Sequence, residues 1–122
     1  MRRDVVRVGY GLFYVAAGLN HFVNPEFYLA IMPPYLPWHG PLVFLSGAAE
    51  VALGALLCIP RTTRLAGWGL IVMLLAIFPA NLHMALHAEQ FPQLPSIALW
   101  LRLPIQAILI AWAYHYARRG AR

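Results

Sequence analysis

The chain is short, strongly apolar and basic. Its 122 residues are 61% hydrophobic, with a mean hydropathy of +0.65, whereas ordinary soluble domains are about 45–50% apolar. These values exclude a typical soluble domain and predict one domain, residues 1–122, in a lipid bilayer. The net charge of +5 comes from arginines that flank apolar stretches. It does not indicate nucleic-acid binding, which would need a basic face on a soluble domain.

Four apolar windows carry most of the hydrophobic residues. They cover approximately residues 5–23, 41–59, 65–86 and 97–116. Each approaches the roughly 20 residues that a helix needs to cross a hydrocarbon core of about 30 Å. We therefore expect an all-α fold, an integral membrane four-helix bundle. A cleaved signal peptide is the alternative for the first window, but Asp4 interrupts its basic start and further apolar windows follow it.

The arginines predict how the chain is oriented. Eight of the nine lie in three clusters outside the apolar windows or at their edges: Arg2, Arg3 and Arg7; Arg61 and Arg64; and Arg118, Arg119 and Arg122. The two remaining connections contain none. Because cytoplasmic flanks of membrane helices hold the excess of basic residues, we expect both termini in the cytoplasm and the protein in the cell (inner) membrane.

The first outward connection, residues 24–40, combines four prolines with aromatic residues. Asn24 followed by Pro25 is typical of a helix start, and Pro33 and Pro34 would end that helix after about Met32. We expect a short interfacial helix or loop here. It would act either as an aromatic anchor at the membrane surface or as a lid over a cavity.

Polar residues inside the windows concentrate in the outward half of the predicted bundle. We expect these residues to bind a small ligand. Its polar head would contact Glu50, Asn81, Arg102 and Gln106, and the residues around that head would be Tyr14, His21 and Trp38. Side-chain direction along the helices also favours a contact between Glu50 and Asn81. Buried charges in a membrane need partners, so a purely structural Glu50–Arg102 ion pair is the alternative. Two prolines, Pro79 and Pro104, predict kinks at the same level.

Three further patterns bear on function. His83 and His87 are spaced for metal binding, but Met84 stands where a zincin helix has glutamate, so we predict no metal site. The lone Cys58 is interpreted as a packing residue. Small residues such as Gly11, Gly47 and Gly54 permit close helix contact, either within one bundle or between copies.

Three segments resemble the DoxX family of small membrane proteins: residues 11–22 (GLFYVAAGLNHF), 46–54 (SGAAEVALG) and 102–106 (RLPIQ). The resemblance extends over nearly the whole chain and implies a four-helix bundle. It also implies a membrane subunit of thiosulfate:quinone oxidoreductase or another redox-linked assembly. A methylamine-utilisation branch handles disulfides, a role from which a chain with one cysteine departs. Distant relatives include the receptor-assembly chaperone NACHO. The residues that match the family's recurrent polar positions are His21, Glu50, Arg102 and Gln106.

The leading functional hypothesis is therefore a polar pocket that binds a small amphipathic ligand, a quinone or a lipid. A non-catalytic assembly subunit, acting within a homo-oligomer or a larger membrane complex, is the second hypothesis. Proton-coupled transport of a small solute by an oligomer is the third. Since no nucleophile, base and orienting group can be assembled from the sequence, we do not expect the chain alone to be an enzyme.

Overall fold

The computed structural model describes residues 2–30, 37–92 and 94–121, which contain helices and no strand. The helices are α1 (Arg2–Val23), α2 (Pro25–Ala30), α3 (His39–Cys58), α4 (Thr63–Leu86) and α5 (Ser96–Arg119), with a 3-10 turn at Ala88–Gln90. The four long helices overlie the four predicted windows. The short helix begins at Pro25 as expected, and its predicted end near Met32 lies outside the described residues.

The long helices pack mainly as two pairs. The most extensive contacts join α1 to α3 and α4 to α5, and a smaller contact joins α3 to α4. Helix α1 also reaches α5, because the ring of Tyr10 stacks on Trp112 at 4.1 Å and its hydroxyl donates to the Leu109 carbonyl at 2.8 Å. Helices α3 and α5 form no extensive contact within the described chain.

Glycines let α1 and α3 touch along their backbones. A Cβ atom added at Gly11 would lie 2.6 Å from the Gly54 carbonyl oxygen, and one at Gly18 would lie 2.6 Å from that of Gly47. The two glycines are seven residues apart in both helices, so the same face meets the partner helix twice. The small residues thus serve packing within one chain. Gly67 of α4 similarly approaches the backbone of Ala117 in α5.

One end of the molecule gathers most of the arginines. The Arg7 guanidinium donates to the carbonyls of Leu57 and Cys58 at the end of α3, and the Arg64 side chain lies against Gly120 after α5. The start of α1, the end of α3, the start of α4 and the end of α5 therefore lie together. We call this the arginine-rich end. The opposite end carries α2 and the 3-10 turn.

In the middle of α1, between residues 7 and 19, the exposed residues are apolar, whereas polar side chains are buried. Its buried residues include Arg7, Tyr14 and His21, and its exposed residues include Leu12, Phe13, Leu19 and Phe22. Such an arrangement suits a hydrocarbon solvent better than water.

Three helices, α3, α4 and α5, are long and apolar enough to cross a membrane. This agrees with the expectation of a helical membrane protein. Helix α1 is not one of the three, and it carries polar residues such as Arg7, Asn20 and His21. A fourth span formed by α1 remains a prediction.

The glycine contacts predict that a methyl group added at Gly54 lowers the unfolding free energy, whereas one added at Gly9 does not. Gly54→Ala would bring a Cβ atom within 2.5 Å of the Gly11 carbonyl, so α1 and α3 would have to separate. We expect a loss of about 1–3 kcal/mol in unfolding free energy, measured by denaturant titration in detergent micelles. Gly9→Ala is the matched control, because nothing lies within 4 Å of the added atom. Equal effects of the two changes would contradict the proposed backbone contact.

Candidate functional site

Glu50 and His21 form the first polar group at the opposite end. Gly47 lets His21 lie directly against α3, since a Cβ atom added there would be 2.7 Å from that of His21. His21 Nδ1 lies 3.7 Å from Glu50 Oε2 and 2.9 Å from the Ala17 carbonyl oxygen. The longer distance exceeds that of a hydrogen bond. Glu50 Oε2 is therefore buried without a hydrogen-bond partner in the described structure.

Tyr28, on the short helix α2, connects this group to the rest of the fold. Its ring stacks on His21 at 3.8 Å between centroids, and its hydroxyl accepts a hydrogen bond of 2.7 Å from Asn20 Nδ2. It also packs against the buried cluster that includes Met84 and Leu99. Tyr28 is one of the aromatic residues of the connection 24–40, which were expected at the membrane surface or in a lid. Its position four residues after the predicted Asn24 cap was the available signal that it could fold back onto α1.

Arg102, on α5, has no acidic partner within the ranges that the structure describes. The ion pairs there are Asp4–Arg7 and His21–Glu50, and the neighbour with which Arg102 interacts electrostatically is Tyr28. The ion pair between Glu50 and Arg102, which was the alternative to a ligand site, is therefore not formed. The reason is helix arrangement: α3 packs against α1 and α4, whereas α5 packs against α4 and α1.

Asn81 and Gln106 form the second polar group, between α4 and α5. Asn81 Nδ2 donates to Gln106 Oε1 at 2.6 Å, and Gln106 Nε2 donates to the Leu74 carbonyl. Pro79 lacks the N–H that would normally bond the carbonyl of Leu75, so Gln106 binds backbone in the turn that this proline disturbs. The predicted contact between Glu50 and Asn81 is not formed, because α5 supplies the partner of Asn81.

The other two predicted ligand neighbours, Tyr14 and Trp38, differ in their positions. Tyr14 is buried in the core, where its hydroxyl lies 2.7 Å from that of Tyr10, and it is close enough to Glu50 for an electrostatic interaction. Trp38 is 75% exposed and precedes α3 with a left-handed backbone. The structure thus brings Tyr14, His21 and Glu50 to one region and leaves Trp38 on the surface.

His83 and His87 interact with each other. Their rings stack at 4.3 Å between centroids, and His87 Nδ1 lies 3.0 Å from the His83 carbonyl oxygen. Across residues 2–30, 37–92 and 94–121, no three His, Cys, Asp or Glu side chains are grouped as metal ligands.

Arg7 has a structural role that sequence analysis missed. It is 3% exposed, bonds the Leu57 and Cys58 carbonyls at 3.0 and 2.7 Å, and pairs with Asp4 at 3.0 Å. A cation at a helix C-terminus offsets the negative end of the helix dipole and satisfies free carbonyls. The signal was its spacing: Arg7 is seven residues before Tyr14, on the face that the glycines also occupy.

A cavity of about 480 Å³ lies at the arginine-rich end, between α1 and α5. The expected pocket at the opposite end would lie under residues 24–40. Residues 31–36 of that connection fall outside the described ranges, so the pocket and its lid remain predictions.

The Asn81–Gln106 bond predicts a stability effect with a testable coupling. Gln106→Leu leaves the Asn81 amide and the Leu74 carbonyl without their partner, so we expect unfolding free energy to fall by about 1–3 kcal/mol. The double change Asn81→Leu/Gln106→Leu should cost less than the sum of the single changes, by roughly 0.6–1.7 kcal/mol. Denaturant titration in micelles measures both. Gln90→Leu, at an exposed position, is the control, and strict additivity would refute the coupling.

Comparisons with known proteins give a family and no function. Residues 10–117 match the family described as a domain of unknown function, DUF8561. No curated protein matches the chain, and no solved structure does. The resemblance to DoxX is thus not confirmed and remains a prediction. Since the match extends from the middle of α1 almost to the end of α5, the chain belongs to the DUF8561 family.

Proposed function

We propose that this chain is a DoxX-like membrane protein whose helices form a four-helix bundle and bind a small amphipathic molecule, a quinone or a lipid, at the opposite end. One observation carries the proposal. Glu50 and Arg102, the two charged residues of opposite sign in the helical interior at that end, do not neutralise each other.

Glu50 offers a hydrogen-bond acceptor. A buried polar atom without a hydrogen bond is costly, and Glu50 Oε2 is in that state. A ligand hydroxyl, such as that of a quinol or a lipid headgroup, would donate to it. His21, 3.7 Å away, would then orient the carboxyl group.

Arg102 offers hydrogen-bond donors. Its guanidinium is half-buried and always charged, so a carbonyl or phosphate oxygen would satisfy it. Tyr28 lies between the two charged residues, because it stacks on His21 and interacts with Arg102. The polar head of the ligand would therefore lie beside Tyr28, with its donor toward Glu50 and its acceptor toward Arg102.

Asn81 and Gln106 would contribute less to ligand binding than the sequence suggested. Gln106 uses both atoms of its amide within the fold, while Asn81 keeps its carbonyl oxygen for a ligand.

The second hypothesis, an assembly subunit, relied on the small-residue stripe as a partner surface. Gly47 and Gly54 contact α1 instead, so the ligand-binding function is better supported. In a redox-linked complex, such a chain would hold the quinone while a partner supplied the redox centre.

All four long helices would cross the membrane, with both termini in the cytoplasm. Helix α1 has 22 residues, or about 33 Å at 1.5 Å per residue, which is enough to span the hydrocarbon core. Between residues 7 and 19 its exposed residues are apolar, and its buried polar side chains, Arg7 and Tyr14, face the other helices. The described arginines other than Arg102 meet at one end, as the positive-inside rule requires of a cytoplasmic side.

Ligand retention tests the site. Protein purified in mild detergent should retain ubiquinone-2 or a co-purified lipid in native mass spectrometry. Glu50→Gln and Arg102→Gln should each weaken retention about 10-fold or more, since bonds to charged groups contribute about 1.5–3 kcal/mol. The controls are Glu89→Gln and Arg61→Gln, which make the same chemical changes at exposed positions. A wild type that holds neither molecule, or a Glu50→Gln variant that binds equally, would refute the proposal.

Cysteine labelling tests the topology. In a Cys58→Ala background, Glu89→Cys should react with a membrane-impermeant maleimide in intact cells, whereas Arg3→Cys and Ala121→Cys should react only after lysis. All three positions lie outside or at the ends of the long helices. Labelling of Arg3→Cys in intact cells, with Ala121→Cys protected, would show that α1 does not span.

A further inference from the structure

The cavity at the arginine-rich end has an apolar wall and a basic rim. Its wall includes Val6 from α1 and Trp112 from α5, and its rim includes Arg2, Arg3 and Arg119. Both Val6 and Trp112 are partly exposed, at 46% and 37%. Trp112 is held in place by stacking on the buried Tyr10 ring at 4.1 Å. The cavity is thus a cleft between two helices that is open to the surroundings.

The basic rim has no acidic counterpart among the residues that the structure describes. None of the cavity-lining residues is acidic, and the nearby carboxylate of Asp4 is bonded to Arg7 at 3.0 Å. Within the described ranges, no ion pair involves Arg2, Arg3 or Arg119. The arginine that precedes Arg119 is directed elsewhere, because Arg118 lies over the Tyr114 ring. Positive charge therefore accumulates specifically around this cleft.

The distance between the basic rim and the apolar wall of the cleft suits an amphiphilic molecule. Arg119 and Trp112 are seven residues apart on one helix, or about 10 Å along its axis. If α5 crosses the membrane, the rim lies at the level of the lipid headgroups and Trp112 lies near the boundary with the acyl chains. Arginine binds phosphate oxygens through paired N–H groups. Basic pockets between membrane helices at the cytoplasmic side are typical of phospholipid headgroup sites.

We propose that this cleft binds an anionic glycerophospholipid, with its phosphate between Arg2, Arg3 and Arg119 and one acyl chain along Val6 and Trp112. The site is separate from the group around Glu50, since it lies at the other end of the molecule. It does not depend on the function proposed for that group, but it rests on the proposed membrane topology. The bound lipid would hold the start of α1 against the end of α5.

Native mass spectrometry of the full chain tests this site with two lipids of identical acyl chains, dioleoyl phosphatidylglycerol and dioleoyl phosphatidylcholine. Wild type should retain the anionic lipid preferentially. Arg2→Gln/Arg119→Gln should reduce that retention about 30-fold, since each arginine near anionic lipid contributes roughly a fivefold effect. Arg61→Gln/Arg118→Gln removes the same charge at the same end and should change retention little.

A second variant separates the shape of the cleft from its charge. Val6→Trp keeps every arginine and fills the apolar wall, so it should also lose the lipid, while thermal unfolding confirms that each variant is folded. Equal loss in the two arginine pairs would indicate general attraction to a basic surface and would overturn the proposal. Equal retention of the two lipids would overturn it too, as would displacement of the lipid by excess inorganic phosphate, which would identify a soluble anion as the ligand.

Discussion

The direct backbone contact of α1 with α3 determines where the polar residues of both helices lie. Two pairs of glycines, Gly11 with Gly54 and Gly18 with Gly47, bring the helices together without intervening side chains. At this separation His21 reaches α3 one turn from Glu50, and Arg7 reaches the carbonyls at the end of α3. A wider spacing would leave these groups without partners in an apolar medium, where unsatisfied polar groups are costly.

Close backbone packing also determines which polar residues meet in the second pair of helices, α4 and α5. Gly67 approaches the backbone of α5, and Asn81 and Gln106 bond across the interface that results. Each amide thus finds its partner on the helix that packs most closely against its own. Glu50 and Arg102 belong to helices that form no extensive contact among the described residues, and no ion pair joins them there. In this fold, backbone packing rather than charge complementarity determines which side chains come into contact.

Hydropathy and turn chemistry were sufficient to predict the elements of the fold but not the contacts between them. The four long helices overlie the apolar windows, and Pro25 begins α2 as the Asn24–Pro25 pair indicated. Four long helices can be arranged in several ways, and each arrangement gives Glu50 a different neighbour. The sequence could not decide between Asn81, Arg102 and His21, because the choice depends on which glycine faces meet.

Arg7 shows a second reason why sequence reasoning was incomplete. As one of eight arginines at the edges of apolar windows it was counted as a topology signal, yet it is buried and bonded to the end of α3. One residue can satisfy both roles, since the C-terminal end of a helix presents free carbonyls that attract a cation. Tyr28 was missed similarly, because its contacts depend on a short helix that folds back over α1.

Arg7 and Arg102 each place a positive charge within the helices, at opposite ends of the molecule. Within the part of the chain that the structure describes, the fold supplies a partner of opposite charge for Arg7 only. Arg7 has two backbone carbonyls and a carboxylate. Arg102 has the electrostatic influence of Tyr28 and no carboxylate among the described residues. A permanent charge of this kind is rare within apolar helices unless it serves a function. The difference between the two arginines is therefore the strongest argument that the opposite end holds something the chain itself does not supply.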